Sequence, residues 1–250
     1  MTNTRRGMMA AAGGGAVSTT GAVQFDGNTW LSRGADLTSV PSTNYWTFSF
    51  WYKFDSTDYG TIYENRSEKV VLRSSSKMQA ESKGPDTVND AYEALDTDLT
   101  NWHHTCGMVN TGSSANTHYY VDDTEITPMY KFGSRDGTNY ALTSTDHFLF
   151  KNGGPGADAG QFEGRIYEFW MDWGQNIDLT STTTRRKFIN ADLTPPSLGS
   201  NGETPTGTSP EIYMTGGAAS FATNLGTGGA FSVGSGALIE AGKPTTANSP

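Results

Sequence analysis

The amino-acid sequence predicts an all-β fold, either a sandwich or a barrel, and three observations indicate it. The 250 residues include 34 Thr, 23 Ser and 30 Gly, and 12% of the chain is aromatic. Threonine and aromatic residues favour strands, whereas glycine favours turns. Only 17% of the chain is charged, which disfavours a helical bundle, and the aromatic content disfavours a disordered chain. The third observation is a ten-residue alternation of apolar and polar side chains in the first half of the chain.

The first elements are a short pair of strands and one long strand. Ala22–Leu31 alternates around Asp26 and Gly27, which predicts a hairpin-like pair. Tyr45–Phe54 is the ten-residue alternation, and it predicts a strand with one face in the core. That face would carry Trp46, Phe48, Phe50, Tyr52 and Phe54. Trp51 is the exception, because it is a large ring on the otherwise polar face.

The rest of the chain predicts more short strands, one long strand and one helix. Short strands are expected at Thr61–Arg66, Lys69–Arg73, Lys77–Glu81, Trp102–Asn110, His118–Val121, His147–Lys151, Glu211–Met214, Ser220–Ala222 and Ala230–Val233. Gln161–Trp173 is the longest predicted strand. Thr180–Asn190 is the helix candidate, with Asp178 or Thr180 as its cap and a basic last turn. Ser82–Asp98 predicts a loop with a short edge strand or a turn of helix.

One β domain with two terminal arms is the simplest organisation, because no repeat of fixed period and no run of like charge divides the chain. We expect a docking arm over residues 1–21, a body over residues 22–240 and a tail over residues 241–250. The tail predicts a frayed end or a second docking arm.

Charge and cysteine content exclude several function classes. The formal net charge is −9 and the pI is near 4.8, with scattered basic residues. Binding to nucleic acid or to an anionic membrane needs clustered Lys and Arg, so neither partner is expected. Cys106 is the single cysteine, which excludes an intrachain disulfide and a thiolate metal cluster. It lies in a predicted strand, and we interpret it as a core residue of a protein folded in a reducing cytosol.

The N-terminal arm predicts a partner protein. Its glycine- and alanine-rich sequence carries too little apolar surface to order itself. We therefore expect a neighbouring subunit or another protein to hold it, with Arg5, Arg6, Met8 and Met9 as the docking residues.

Three segments resemble the concanavalin A-like family, in particular its laminin-G-like and pentraxin-like domains. AVQFDGNTWL followed by YWTFSFWYKF is similar to the family's opening F-D-G-x-x-x-L … F-T-I-S-F-W-V-K. NWHHTCGMVN and HYYVDDTEI resemble its W-H-H-V-A-V-T … Y-V-D-G hairpin. The segment FLFKNGG … GQFEGRIYEFWMDWGQNIDLTSTTTRRKFIN resembles its motif F-x-G-x-I-D-E-V-R-I-Y-N-R-A-L-S-x-x-E-I. The resemblance spans roughly residues 22–190 and implies a jelly roll: two antiparallel sheets face to face, with a concave face that often binds sugars. With the helix and the arms predicted from the residues, the expected fold is an all-β jelly-roll sandwich with one short helix and extended terminal arms. Thr124 stands where the family has glycine.

Two further segments resemble laminin-G-like proteins of tailed bacteriophages. They are Ala218–Val233 and the start RRGMMAAAGG. This resemblance implies a protein of the virion.

Exposed aromatic rings are the expected sugar-binding groups, since relatives of this fold often bind sugars. The rings that we single out are Trp51, Tyr63, Trp170 and Trp173. The alternative is that these rings pack under loops or at a subunit interface, as large aromatic side chains usually do.

Calcium is a second expectation, since relatives bind it through Asp, Asn and backbone carbonyls at the rim of a sheet. The candidate ligands in predicted loops are Asp26, Asp122, Asp123, Asn152 and Asp158. The alternative is that these residues only make turns.

Catalysis is not expected. The family's glucanases place their acid and nucleophile on one strand as E-x-D-x-x-E, and the chain lacks that spacing. Glu163 and Glu168 are five residues apart and would lie on opposite faces of a regular strand. The adjacent His103 and His104 would likewise point to opposite faces, which disfavours a shared zinc ion.

We therefore expect a non-enzymatic structural protein of a phage virion, assembled in the host cytoplasm. It would be a capsid decoration or head-fibre protein, or a tail fibre or adaptor, bound to other virion proteins and forming a homo-oligomer such as a trimer. Its body would present a face to surface glycans, with calcium as the one cofactor considered. The alternative is a free carbohydrate-binding lectin or glucanase-like module.

Overall fold

Two antiparallel sheets form the body of the protein. The computed structural model describes residues 20–37, 43–56, 60–65, 70–74, 77–83, 87–93, 98–110, 117–126, 128–132, 147–151 and 161–249. Sheet A consists, from edge to edge, of β10 (Thr124–Glu125), β9 (His118–Val121), β8 (His103–Asn110), β3 (Tyr45–Phe54), β13 (Glu163–Trp173), β1 (Thr20–Asp26) and β16 (Ile239–Gly242), with β14 (Ile212–Met214) also paired to β13. Sheet B consists of β11 (Pro128–Phe132), β7 (Thr87–Glu93), β6 (Lys77–Lys83), β5 (Val70–Ser74), β4 (Gly60–Asn65), β12 (His147–Leu149), β2 (Trp30–Arg33) and β15 (Ser232–Ser235).

Aromatic side chains fill the space between the sheets. β3 turns its predicted apolar face inward, and its alternation sets the spacing of these rings. Phe50 stacks on Phe169 with ring centroids 5.6 Å apart, and Phe25 lies 4.1 Å from Phe150. Such contacts add to the hydrophobic gain from burial. The predicted strand and its core face are confirmed.

The outer face of sheet A is also buried, so the protein has three layers. Residues 174–211 run over this face, and Ile177, Leu179, Phe188 and Leu198 pack on Trp170. We call residues 174–211 the covering segment. A sheet that is covered on both sides has no solvent face, which is why every residue of β8 is buried.

The C-terminal tail belongs to the folded body. The backbone N–H of Trp102 donates to the C=O of Ser249, and the C=O of Trp102 accepts the N–H of Asn248. Both hydrogen bonds are 2.7 Å long. Ala247 is 4% exposed and packs near Trp51. The tail predicted over residues 241–250 is therefore not a frayed end in the part up to Ser249, because its backbone groups form hydrogen bonds with the body.

Several local predictions differ from the structure. β1 and β2 do not pair as a hairpin, because Asp26 and Gly27 carry the chain from sheet A to sheet B. The helix α1 spans only Thr182–Arg185, and its cap is Ser181. Two further differences are that Ser82–Asp98 contains the seven-residue strand β7 and that Ser220–Ala222 forms a turn.

No helix in the described ranges is long and apolar enough to cross a membrane.

Candidate functional site

The four rings that the sequence suggested for sugar stacking are buried. Trp51, Tyr63, Trp170 and Trp173 are each 2% exposed or less. A sugar ring stacks on an aromatic face that water can reach, so none of the four offers such a face. These rings pack against other side chains, which is the alternative that the sequence left open.

The covering layer explains this burial for the two rings on the outer face of sheet A. Trp51 lies beneath Ile189 and beside Trp102. Trp170 makes an edge contact with Phe188, and its indole N–H donates to the backbone C=O of Gly202 at 2.9 Å. Both rings hold the covering segment on the sheet.

Asp26, the first predicted calcium ligand, is used in a turn. Its Oδ1 accepts the backbone N–H groups of Asn28 and Thr29, both at 2.9 Å. The hydrogen bond from Asn28 is the main cause of the lowered pKa of Asp26. Asn152 and Asp158 lie outside the described residues, so their predicted role stays a prediction.

Asp122 is bound to the histidine pair at the end of β8. Its Oδ2 lies 2.7 Å from His103 Nδ1, and its Oδ1 accepts the backbone N–H of His104 at 2.8 Å. His104 faces the other side of the strand, where its Nε2 lies 2.9 Å from Ser49 Oγ. Burial lowers the pKa of His104 to about 3, so this ring is neutral. The two histidines point to opposite faces, as predicted.

Asp123 is bound to two arginines of the covering segment. Its Oδ1 accepts from Arg185 Nε at 2.7 Å, and its Oδ2 accepts from Arg186 at the other side. Burial opposes ionisation, but the two guanidinium groups outweigh it and lower the pKa of Asp123. The three described carboxylates of the predicted rim site therefore each have protein partners, and a calcium ion bound by the five residues stays a prediction.

Carboxylates for glycoside hydrolysis are not paired on an open face in the described residues. Glu163 is exposed, whereas Glu168 is 6% exposed at a bulge where its φ is 50°. The β13–β3 register shifts between Tyr167 and Trp170, so the regular alternation assumed from the sequence fails here. Burial raises the pKa of Glu168 to about 7.

A different carboxylate pair lies under the covering segment. Asp172 and Glu211 are 3% and 6% exposed, and their side chains are within hydrogen-bonding reach. Burial, and then the Glu211 carboxyl, raise the pKa of Asp172 well above its usual range. No local sequence pattern predicts this pair, because Glu211 lies far along the chain from Asp172. The Glu211 carboxylate accepts the backbone N–H of Trp173, which is 38 residues away.

Trp30 is the tryptophan that remains partly exposed. All six tryptophans lie in described residues, and the other five are 2% exposed or less. Leu31 points into the core, so Trp30 and Ser32 point to the outer face of sheet B. We call this place the Trp30 surface; it comprises Trp30, Ser32, Phe148 and Lys151.

A cation and a second ring complete the Trp30 surface. The Lys151 ammonium lies 3.8 Å from the centroid of the Trp30 ring and 5.7 Å from that of Phe148. Both distances are within the range of cation–π attraction. Phe148 lies opposite Ser32 in the β12–β2 register, so these side chains share one face of the sheet.

Gly234 of β15 leaves room for the indole. A Cβ at this position would lie 2.0 Å from Trp30 Nε1, which no side chain can tolerate. The sequence signal for an outward Trp30 was present, because it alternates with Leu31. The hairpin predicted over Ala22–Leu31 hides this signal, because it places Trp30 and Leu31 at the end of a hairpin rather than in a strand of the other sheet.

No protein-family model matches the chain, and no curated protein matches it. Two solved structures are similar in fold. One is a protein of Bacteroides ovatus ATCC 8483 to which carbohydrate binding is ascribed, with 11% identity and a TM-score of 0.58 over 92% of this chain and 61% of that one. The other is the pair of LG4-5 domains of the mouse laminin alpha1 chain, with 14% identity and a TM-score of 0.44 over 68% of this chain and 44% of that one.

The chain thus spans about three fifths of the Bacteroides structure and less than half of the laminin structure. At these identities the likeness concerns the fold. Together with the likeness to the Bacteroides structure, the two antiparallel sheets of the described residues confirm the predicted fold class at the level of an all-β sandwich of two antiparallel sheets with one short helix.

Proposed function

We propose that the chain is a non-enzymatic carbohydrate-binding module that holds a glycan at the Trp30 surface. One observation carries the proposal: five tryptophans are buried, while the sixth lies partly exposed on an outer sheet face beside Phe148 and Lys151. Leaving an indole in water loses the free energy that burial would supply. A ligand that covers it recovers that free energy.

The chemistry of the Trp30 surface suits a sugar. The C–H face of a pyranose packs on an aromatic ring, while its hydroxyl groups need hydrogen-bond partners. Trp30 and Phe148 supply rings, and the Ser32 hydroxyl supplies a polar group. The Lys151 side chain, which lies over the Trp30 ring, would swing aside and offer its ammonium to the sugar hydroxyl groups. The fold that the chain shares with the Bacteroides protein is compatible with this role.

Binding without cleavage fits the carboxylates better than hydrolysis does. A retaining glycosidase needs two carboxyl groups about 5 Å apart and accessible to the sugar. In the described residues the close pair, Asp172 and Glu211, lies beneath the covering segment. The glucanase-like alternative predicts hydrolysis of a glucan that is lost when one carboxylate is changed.

A glycan array with matched variants tests the proposal. Wild-type protein should bind a defined glycan class, and Trp30→Ala should bind it at least tenfold more weakly, since about 1.4 kcal/mol of lost stacking is tenfold in affinity. Tyr45→Ala is the control, because Tyr45 is a partly exposed ring on sheet A. Equal binding by wild type and Trp30→Ala, or binding by none of the three, would refute the proposal.

The finer proposal is that this module is a structural protein of a phage virion. Its support is the resemblance of Ala218–Val233 and of the first residues to laminin-G-like phage proteins, and the proposed docking residues Arg5, Arg6, Met8 and Met9. A decoration, fibre or adaptor protein of this kind would be a homo-oligomer attached to other virion proteins.

Purified particles test this finer proposal. Mass spectrometry should find the chain in the particle, and cryo-imaging should place it on the capsid or the tail. Residues 1–20 should be cut by protease in the isolated protein and protected on the particle. Absence of the chain from particles would leave the free lectin as the function.

A further inference from the structure

The strongest unexplained group of polar atoms lies between sheet A and its covering segment. Asp172 projects from β13, and Glu211 stands at the end of the covering segment, next to β14. Glu211 Oε2 accepts the backbone N–H of Trp173 at 3.0 Å. Among the described residues, no lysine, arginine or histidine forms an ion pair with either carboxylate. Two carboxyl groups are thus buried side by side without a basic partner.

Thr47 adds an independent observation. It is the direct partner of Asp172 in the β13–β3 register, so the two side chains stand next to each other on one face. Thr47 is 0% exposed, and its Oγ1 has no hydrogen-bond partner. Oδ2 of Asp172 has none either. Buried polar atoms are normally satisfied, so two neighbouring orphaned oxygens indicate a missing partner.

Two kinds of partner would satisfy these atoms. One is a proton shared between the carboxyl groups together with a water molecule that reaches Asp172 Oδ2 and Thr47 Oγ1. The other is a single divalent cation, which would displace that proton and contact all of these oxygens at once, and an all-oxygen ligand set favours Ca²⁺ over Zn²⁺.

The position also provides a way in. The Gln175 side chain hydrogen-bonds to the Asp172 carboxyl and is only partly buried, and the neighbouring Gly174 is exposed. The Gln175 amide nitrogen donates to Thr208 at 3.0 Å, which leaves its oxygen for a ligand. Water molecules at this side would complete a shell of six to eight oxygens.

We propose that Asp172, Glu211 and Thr47 bind a Ca²⁺ ion that fastens the covering segment to the outer face of sheet A. This place differs from the rim residues that the sequence suggested, and the proposal is independent of glycan binding. The ion would join β13 to a residue 39 positions further along the chain.

The test is calcium-dependent thermal unfolding of the full chain after removal of metals with EDTA. Wild type should gain about 5–10 °C in Tm at a hundredfold excess of Ca²⁺ over its Kd. Asp172→Asn should not respond, while Glu163→Gln, which changes an exposed carboxylate of the same strand, should respond like wild type. A wild-type Tm that ignores both Ca²⁺ and EDTA overturns the proposal and favours the shared proton. An equal Ca²⁺ response in Asp172→Asn also overturns it, because the ion then binds elsewhere.

A second readout guards against a variant that fails to fold. Tb³⁺ can replace Ca²⁺ and emits when a nearby tryptophan is excited, and Trp173 adjoins the proposed ligands. Wild type should sensitise Tb³⁺, and excess Ca²⁺ should remove the signal. Thr47→Val keeps the shape of the side chain, and it should weaken Tb³⁺ binding at least severalfold. Unchanged binding by Thr47→Val would remove this threonine from the site and contradict the proposal.

Discussion

At the scale of single residues, Glu168 is the clearest case of a side chain held in an unfavourable state. Its carboxyl is buried at a bulge of β13, its φ is positive, and its Oε2 has no hydrogen-bond partner. Burial raises its pKa from 4.5 to about 7. The folded state therefore binds a proton more tightly than the unfolded state does.

This shift predicts a pH dependence with a defined sign. The contribution of Glu168 to stability is fully present below pH of about 4.5 and is lost as the pH rises through about 7. Between about pH 5 and about pH 8, wild type should lose roughly 1–3 kcal/mol more than Glu168→Gln, which cannot titrate. Urea unfolding at both pH values measures this difference. Parallel pH profiles of the two proteins would show that Glu168 is not the cause.

Gly234 makes a second prediction at this scale. In Gly234→Ala the new methyl group would strike Trp30 Nε1 and displace the indole, while the core stays intact. We expect a shifted tryptophan emission and weaker glycan binding, with a change in unfolding free energy of about 1 kcal/mol or less. Adding Trp30→Phe to Gly234→Ala should cause no further loss of binding. A further loss would mean that the two residues act separately.

At the scale of elements, the covering segment decides which face of the protein is free. Arg185 and Arg186 clamp it to Asp123, at the turn between β9 and β10. Arg185 also lies over the ring of Tyr120, 4.3 Å from its centroid. These contacts, with the packing of Phe188 on Trp170, keep one face of sheet A out of reach of ligands.

Removing the clamp should loosen the covering segment. Asp123 has a φ of 64°, a conformation that asparagine tolerates, so Asp123→Asn removes the charge without straining the turn. We expect about 1–2 kcal/mol lower stability and faster hydrogen exchange in residues 181–189. Asp36→Asn, at an exposed position, is the control and should change neither. Unchanged exchange in Asp123→Asn would show that packing alone holds the segment.

The sequence predicted the strands better than their surroundings, for a physical reason. Period-2 alternation reports which face of β3 enters a core, and that face is correct. It does not report whether a distant segment covers the opposite face. Trp51 on the polar face, and Ile177, Leu179 and Phe188 in a region without a strand pattern, were the available hints. These hints could not be combined into a prediction, because contacts between residues more than a hundred positions apart leave no local periodicity.

At the scale of the whole molecule, the chain closes on itself through its C-terminus. Residues 243–249 return to Trp102 and Leu193 and cover one edge of the layer that contains Trp51. The body thus reaches Ser249, beyond the boundary at residue 240 that the sequence suggested.

A truncation after Gly242 tests the role of this return. It removes three backbone hydrogen bonds, two to Trp102 and one to Leu193, and it uncovers Trp51. We expect a loss of about 2 kcal/mol or more and a red-shifted tryptophan emission. Ala247→Asp, which places a charge in the same apolar layer, should act in the same direction. An unaltered emission and Tm in both proteins would show that the tail is dispensable.

The candidate site illustrates the same limit at this larger scale. Composition and motifs were enough to predict a sandwich of two antiparallel sheets, but the rings chosen for sugar binding were the buried ones. Exposure of Trp30 depends on the pairing of β2 with β12 and β15, strands that are distant in sequence. Calcium was likewise expected at turn residues, and the described carboxylates among them, Asp26, Asp122 and Asp123, are bound to backbone N–H groups, a histidine and two arginines.

The most direct test of the central claim is an NMR titration of the six tryptophan indole N–H signals with the glycan found on the array. Trp30→Phe identifies the signal of Trp30 by its disappearance. We expect glycan to shift the Trp30 signal and to leave the signals of the five buried indoles in place. A glycan that moves the signals of Trp51 or Trp170 and not that of Trp30 would contradict it, because the ligand would then bind at the covered face of sheet A.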